Sequence, residues 1–224
     1  MVRTGIDVET LDFVYKFTAA KWARHMVDYG RIRVGTLYDY WRPCYPEGVR
    51  DEKEGKIMRY TIHDYRPGDP TPPQWNTRFF HIPNGCTATL QNCSGESHLN
   101  GTIPNMYVYC VAGHFDRSYF TAFGAQYDTC VRIGPMRQFI EALTFVFRKE
   151  MKCRDTLAGL CEYGAREITY NRGVVNCHPA MLKEQSYEDQ REFRILGETQ
   201  LFGIQPKVIT IPRHDALFSI YDTV

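Results

Sequence analysis

Phe13-Val14-Tyr15-Lys16-Phe17-Thr18-Ala19-Ala20-Lys21-Trp22-Ala23-Arg24-His25-Met26-Val27-Asp28-Tyr29-Gly30-Arg31-Ile32-Arg33-Val34-Gly35-Thr36-Leu37 is the stretch that decides the fold class. Phe13 to Thr18 alternates in character as a strand does. Thr18 can cap a helix whose apolar residues fall at Ala19, Trp22, Ala23, Met26 and Val27, the stripe of a core-facing helix. Gly30 stands where a C-terminal stop belongs. Arg31 to Leu37 then reads as a second strand.

Outward from this unit, residues 38–56 are rich in turn formers and charge and predict a functional or connecting loop. A strand is expected around 57–65, followed by the loop Arg66 to Pro73. Asn84-Gly85 and Asn100-Gly101 predict hairpin turns in a β-rich insertion around 66–104. Met106 to Ala112 and Tyr127 to Ile133 are strand-like runs. Gly134-Pro135 opens a helix with apolar Met136, Phe139, Ile140, Leu143 and Phe147, Pro falling in the first turn. Strands near 165–170, 191–196 and 206–211 complete an α+β reading. No linker divides the chain, so residues 1–224 are expected to form one domain.

Composition narrows the function classes. The 224 residues carry 43% hydrophobic and 24% charged side chains, the balance of a globular protein, and 13 Phe, 15 Tyr and 3 Trp exclude global disorder. No run of about 18 apolar residues predicts a membrane span, and Met1 to Glu9 lacks an apolar signal region, so a cytoplasmic protein is expected. Lys and Arg number 27 against 26 Asp and Glu, so no bulk basic field argues for long double-stranded nucleic acid. The eight cysteines, at 44, 86, 93, 110, 130, 153, 161 and 177, form no CxxC and predict free thiols. The histidines form no HExxH, so no metal site is expected, and there is no GxGxxG, GxxxxGK[ST] or GxSxG.

Tyr15-Lys16-Phe17-Thr18, the short helix and Tyr29-Gly30-Arg31-Ile32-Arg33 together resemble the opening of DarT-like ADP-ribosyltransferases. The chain also looks like a widespread bacterial family that starts with a Tyr-Lys-[Phe/Tyr] strand. Tyr109-Cys110-Val111-Ala112, Tyr119 to Gly124 and Tyr127 to Ile133 follow that family's order of motifs. Its last motif is similar to Lys183 followed by Tyr187-Glu188-Asp189-Gln190-Arg191-Glu192-Phe193-Arg194, with one extra residue before Glu192. The resemblance implies a mixed or split β-sheet core flanked by helices, as in the ADP-ribosyltransferase-like superfamily. It implies NAD as substrate and transfer of ADP-ribose to a nucleic-acid base or a protein side chain. A toxin or phage-defence role, with an antitoxin or regulatory protein as partner, follows from the same likeness. A non-catalytic nucleotide- or protein-binding module of this fold, and an NAD glycohydrolase, are the alternatives.

The chemistry assigns roles. Cleaving the nicotinamide–ribose bond passes through an oxocarbenium-like state, which needs a carboxylate near the sugar, cations on the pyrophosphate and an aromatic slot. Glu192 is the expected carboxylate, stabilising the sugar and helping to deprotonate the acceptor; a surface Glu paired with Arg191 or Arg194 is the plainer alternative. Arg50, in Val49-Arg50-Asp51-Glu52-Lys53-Glu54-Gly55, matches an essential arginine of DarT-like enzymes, or is a solvated member of a charged loop. Lys16, Phe17 and Thr18 fall where the superfamily's first strand contacts NAD, with Lys16 replacing a histidine. Tyr38, Tyr40, Trp41, Tyr119, Phe120 and Phe123 are the candidates for the ring slot, with Tyr38, Tyr119 and Phe123 the first choices and core packing the plainer alternative for each. The expected pocket lies between the first strand, the 37–55 loop and the 119–127 segment. Alternation along Arg191 to Leu196 puts Glu192, Arg194 and Leu196 on one face, with Phe193 and Ile195 on the core face.

Overall fold

Gly30 closes the opening helix in the left-handed conformation (φ 64°), where a Cβ would meet the Ile211 carbonyl at 2.6 Å. Only glycine combines that φ with that approach. The computed structural model describes residues 2–4, 11–41, 58–63, 96–101, 103–164, 167–169 and 178–224, and in it the Gly30 carbonyl accepts from the Ile211 N–H at 2.8 Å.

The strands are β1 (Val2–Thr4), β2 (Val14–Thr18), β3 (Arg31–Thr36), β4 (Met58–His63), β5 (Glu96–Gly101), β6 (Tyr107–Ala112), β7 (Thr129–Ile133), β8 (Cys153–Leu160), β9 (Glu162–Tyr163), β10 (Glu167–Thr169), β11 (Leu182–Lys183), β12 (Glu192–Thr199), β13 (Lys207–Thr210) and β14 (Phe218–Thr223). The helices are α1 (Ala20–Tyr29), α2 (Tyr119–Ala122) and α3 (Met136–Glu150). The fold is mixed α+β, with a mostly antiparallel nine-stranded sheet ordered β1-β8-β12-β6-β2-β7-β14 and β3 joining β6 to β13. A separate sheet runs β10-β4-β5, and β11 pairs with β9.

The main core lies on one face. There α1 (Ala23, Met26) and α3 (Met136, Phe139, Ile140, Leu143, Phe147) pack on Val14, Val34, Tyr109, Ile133, Phe193 and Ile195. The apolar set expected for α3 is buried in full. Gly197 lets β12 pass close beneath that helix, since a Cβ there would sit 2.7 Å from Phe147.

Local expectation and structure differ at five places. Thr18 ends β2, so Ala19 is the residue before the helix and makes no side-chain cap. The Ala20 N–H donates instead to Asp128 Oδ1 at 2.7 Å, a cap borrowed from the start of β7's neighbourhood. Asn100-Gly101 is part of β5, paired with Arg59 and Met58, because a distant strand supplies its ladder partners where turn propensity alone suggested a reversal. Three strands of the main sheet, β1, β8 and β14, carry no expected counterpart. β8 begins Cys-Arg-Asp-Thr and ends Ala-Gly-Leu, which breaks the two-residue alternation that marks a strand. Asn84-Gly85, the Arg66 to Pro73 loop and most of the expected insertion lie outside the described residues.

Candidate functional site

The site begins with an asymmetry in β6. Along one edge it pairs with β12 without interruption, from Glu192↔Ala112 to Gly197↔Tyr107. Along the other it meets β2 only at Tyr15↔Ala112, and β3 only at Gly35↔Val108 and Thr36↔Tyr107. The first part of β3 is drawn away by β13, from Lys207↔Val34 to Thr210↔Arg31. The sheet therefore forks at Tyr109-Cys110-Val111. The fork opens into a cleft of about 520 Å³.

Glu192 and Arg194 stand on the floor, on the face opposite α3. Glu192 Oε1 accepts from Arg194 Nε at 2.5 Å and Oε2 from Lys183 Nζ at 2.6 Å. All three residues are buried. β11 places Lys183 here by pairing Lys183↔Tyr163 with β9, and the Glu192 N–H donates to the Tyr163 hydroxyl at 2.6 Å. Lys183 Nζ also donates to Gln190 Oε1 at 3.1 Å, while Arg194 Nη1 donates to the Ala180 carbonyl. Burial alone would push the Glu192 carboxyl up. The Arg194 and Lys183 charges and their hydrogen bonds overcome that and hold it well below the usual carboxylate range. Cys110 hydrogen-bonds the same carboxylate, and burial pushes its thiol up to about 12, so it is a neutral donor there.

The walls are aromatic. Phe17, Phe123 and Tyr127 form one side, with Phe17 and Phe123 centroids 5.7 Å apart and Phe123 and Tyr127 6.0 Å apart. Tyr40 and Trp22 contribute elsewhere to the lining. Five cationic side chains (Lys16, Arg31, Arg33, Lys183, Arg194) and one carboxylate, Glu192, line the cleft among the described residues. Of these, Lys183 and Arg194 are paired with Glu192, and Arg33 with Asp39 at 2.5 Å.

Lys16 reaches into the fork, where its Nζ donates to the Cys110 carbonyl at 2.8 Å and lies 5.4 Å from the Tyr109 ring centroid. Burial lowers its pKa, as does Arg33; Cys110 and Glu192 work the other way.

The structure thus brings Lys16, Phe17, Thr18, Phe123 and Glu192 to one cleft, whose described walls come from the first strand, Leu37 with Tyr40, and the 119–127 segment. Tyr38 is placed elsewhere: its hydroxyl donates to the Ile103 carbonyl at 2.6 Å, inside a second apolar cluster with Leu37 and Val108. Tyr119 is a correction of the same kind. It sits behind the wall, 5.3 Å from the Phe17 ring, with its hydroxyl donating to the Asp189 carbonyl. Tyr40, itself among the ring candidates, and Tyr127 are in the lining. Arg50 lies outside the described residues. Sequence reasoning left Lys183 and Arg194 out of the site, although both belong to the final motif. The signal was there in the cations bracketing Glu192.

No family model, curated protein or solved structure matches the chain. Among the described residues no helix is long and apolar enough to cross a membrane. The four described cysteines, Cys110, Cys130, Cys153 and Cys161, are free thiols.

Proposed function

We propose that the forked cleft is an ADP-ribosyl-transfer site with NAD as donor, belonging to a split-sheet fold of the ADP-ribosyltransferase-like kind. The observation that carries this reading is an ionised, buried Glu192 held between Lys183 and Arg194 on the floor of an aromatic-walled, cationic cleft. When the nicotinamide–ribose bond breaks, positive charge develops at the ribose carbon, and a fixed carboxylate in a partly dehydrated site stabilises it. The cations suit a pyrophosphate, and the Phe17, Phe123 and Tyr127 rings suit a planar heterocycle. Glu192 acts here through its charge. A carboxyl held so far below neutrality is a poor base, so removing the acceptor's proton falls to another group or to water.

The test is incubation with labelled NAD and a cell lysate. Transfer of label to an acceptor supports the reading, and Glu192→Gln should lower it by about 10²–10³-fold. Gln leaves two buried cations without their countercharge, so the melting temperature of each variant is measured alongside. Glu188→Gln, at an exposed position, is the control and should keep activity. Free ADP-ribose without transfer would identify a glycohydrolase, and a thermal shift with NAD but no turnover would identify a binding module. No shift and no turnover would overturn the proposal.

A further inference from the structure

We infer that the fork of the sheet is a phosphoryl seat, with Lys16 as the residue that selects for it. A ligand must present an anionic phosphoryl oxygen to Lys16 Nζ, where a neutral carboxamide would leave the ammonium without a countercharge. This rests on the reading of the cleft as a nucleotide site, but departs from the nicotinamide contact that the resemblance implies for the first strand.

The argument starts from donors and charges. An ammonium has three N–H donors, and the Cys110 carbonyl takes one. Among the described residues no carboxylate pairs with Lys16. Glu192, the one acid in the cleft lining, has Oε1 committed to Arg194 and Oε2 to Lys183. A half-buried cation facing a cavity without a counter-ion carries a desolvation cost, and an arriving anion lowers that cost.

The Cys110 carbonyl by itself does not require a lysine, since any neutral donor of that reach would serve it. Geometry adds the rest. Lys16 projects from β2 on one bank of the fork, and Arg31 lines the cleft from β3 on the other beside Arg33, whose guanidinium is paired with Asp39 at 2.5 Å. A phosphoryl group in the opening lies between them, with its ring-bearing half directed to the Phe17 and Phe123 wall.

Isothermal titration of the full chain with inorganic pyrophosphate, ADP-ribose and adenosine tests this, using wild type, Lys16→Gln and Lys16→Arg. Gln removes the charge and keeps an N–H donor, one bond shorter than the ammonium. Lys16→Gln should weaken pyrophosphate and ADP-ribose by about 10–100-fold, the range of a charge-assisted hydrogen bond, while adenosine changes less than about twofold. Lys16→Arg should restore most of the loss. In wild type, pyrophosphate should compete with ADP-ribose, a readout that needs no variant. Absence of that competition, unchanged pyrophosphate affinity in Lys16→Gln, or an equal loss for adenosine would overturn the inference. Lys16-dependent pyrophosphate binding without NAD turnover leaves this seat standing and removes the transferase reading. Normal turnover with unchanged KM in Lys16→Gln does the reverse.

Discussion

The two faces of β12 are interiors of different kinds. Towards α3, Phe193 and Ile195 are fully buried among apolar side chains. Towards the cleft, Glu192 and Arg194 are nearly as buried, yet they form a charged cage with Lys183. Residues one position apart thus occupy a dry core and an ionic one. The dry face gains stability from every apolar group it removes from water. The ionic face recovers only part of what dehydration of its charges costs, and the proposed function gives a reason for keeping it. The lesson is that burial on the cleft side reads as function and burial on the helix side as fold.

The contrast can be broken most sharply on the dry face. Phe193→Ala should cost about 3–5 kcal/mol in a urea unfolding curve, as cavity-forming core substitutions do. Phe193 does not line the cleft, so ADP-ribose affinity of the folded fraction should stay near wild type. A loss of affinity with little loss of stability would collapse the distinction between the faces.

On the ionic face the single and the combined changes should diverge. Glu192→Leu strands two buried cations and should also cost about 3–5 kcal/mol. Replacing the cage together, as Lys183→Met/Glu192→Leu/Arg194→Met, should return stability to wild type or raise it by about 1–4 kcal/mol, with no ADP-ribose transfer left. If the combined variant is as unstable as the single one, the cage is a structural element and the functional reading of that face loses its support.

Acid sharpens the comparison further. Glu192 has its folded carboxyl depressed, so its contribution is fully present above the unfolded value of about 4.3 and is lost as pH falls below it. Stability measured from pH 6 downward should fall more steeply in wild type than in the combined variant. Parallel curves would show that the cage contributes nothing to the acid limb.

The smallest effect belongs to the surface. Arg137 and Glu141, one turn apart on α3 at 3.3 Å, are largely exposed. Glu141→Ala should change stability by only about 0.3–0.5 kcal/mol, and added salt should erase the difference. A cost comparable to Glu192→Leu would mean that burial is not what separates the two kinds of ion pair.

By itself the sequence determined the elements whose pattern is local. The β2–α1–β3 unit, the buried stripe of α3 and the two faces of Glu192 to Leu196 all follow from periods of 3.6 and 2, which any short window displays. It also put Lys16 and Glu192 among the candidates through motif and charge. Only the tertiary structure decided that they share a cleft. Lys16 and the Cys110 carbonyl are 94 residues apart, and what unites them is β3 leaving β6 for β13, a choice of strand partner that no local pattern encodes. The same holds for Lys183, brought to Glu192 by a two-residue pairing with β9, and for Asp128, which supplies the cap that Thr18 does not. Tyr38 and Tyr119 against Tyr40 and Tyr127 make the point for aromatic rings. The resemblance suggested Tyr38, Tyr40 and Tyr119, and only the backbone path decided that Tyr40 and Tyr127 face the cleft.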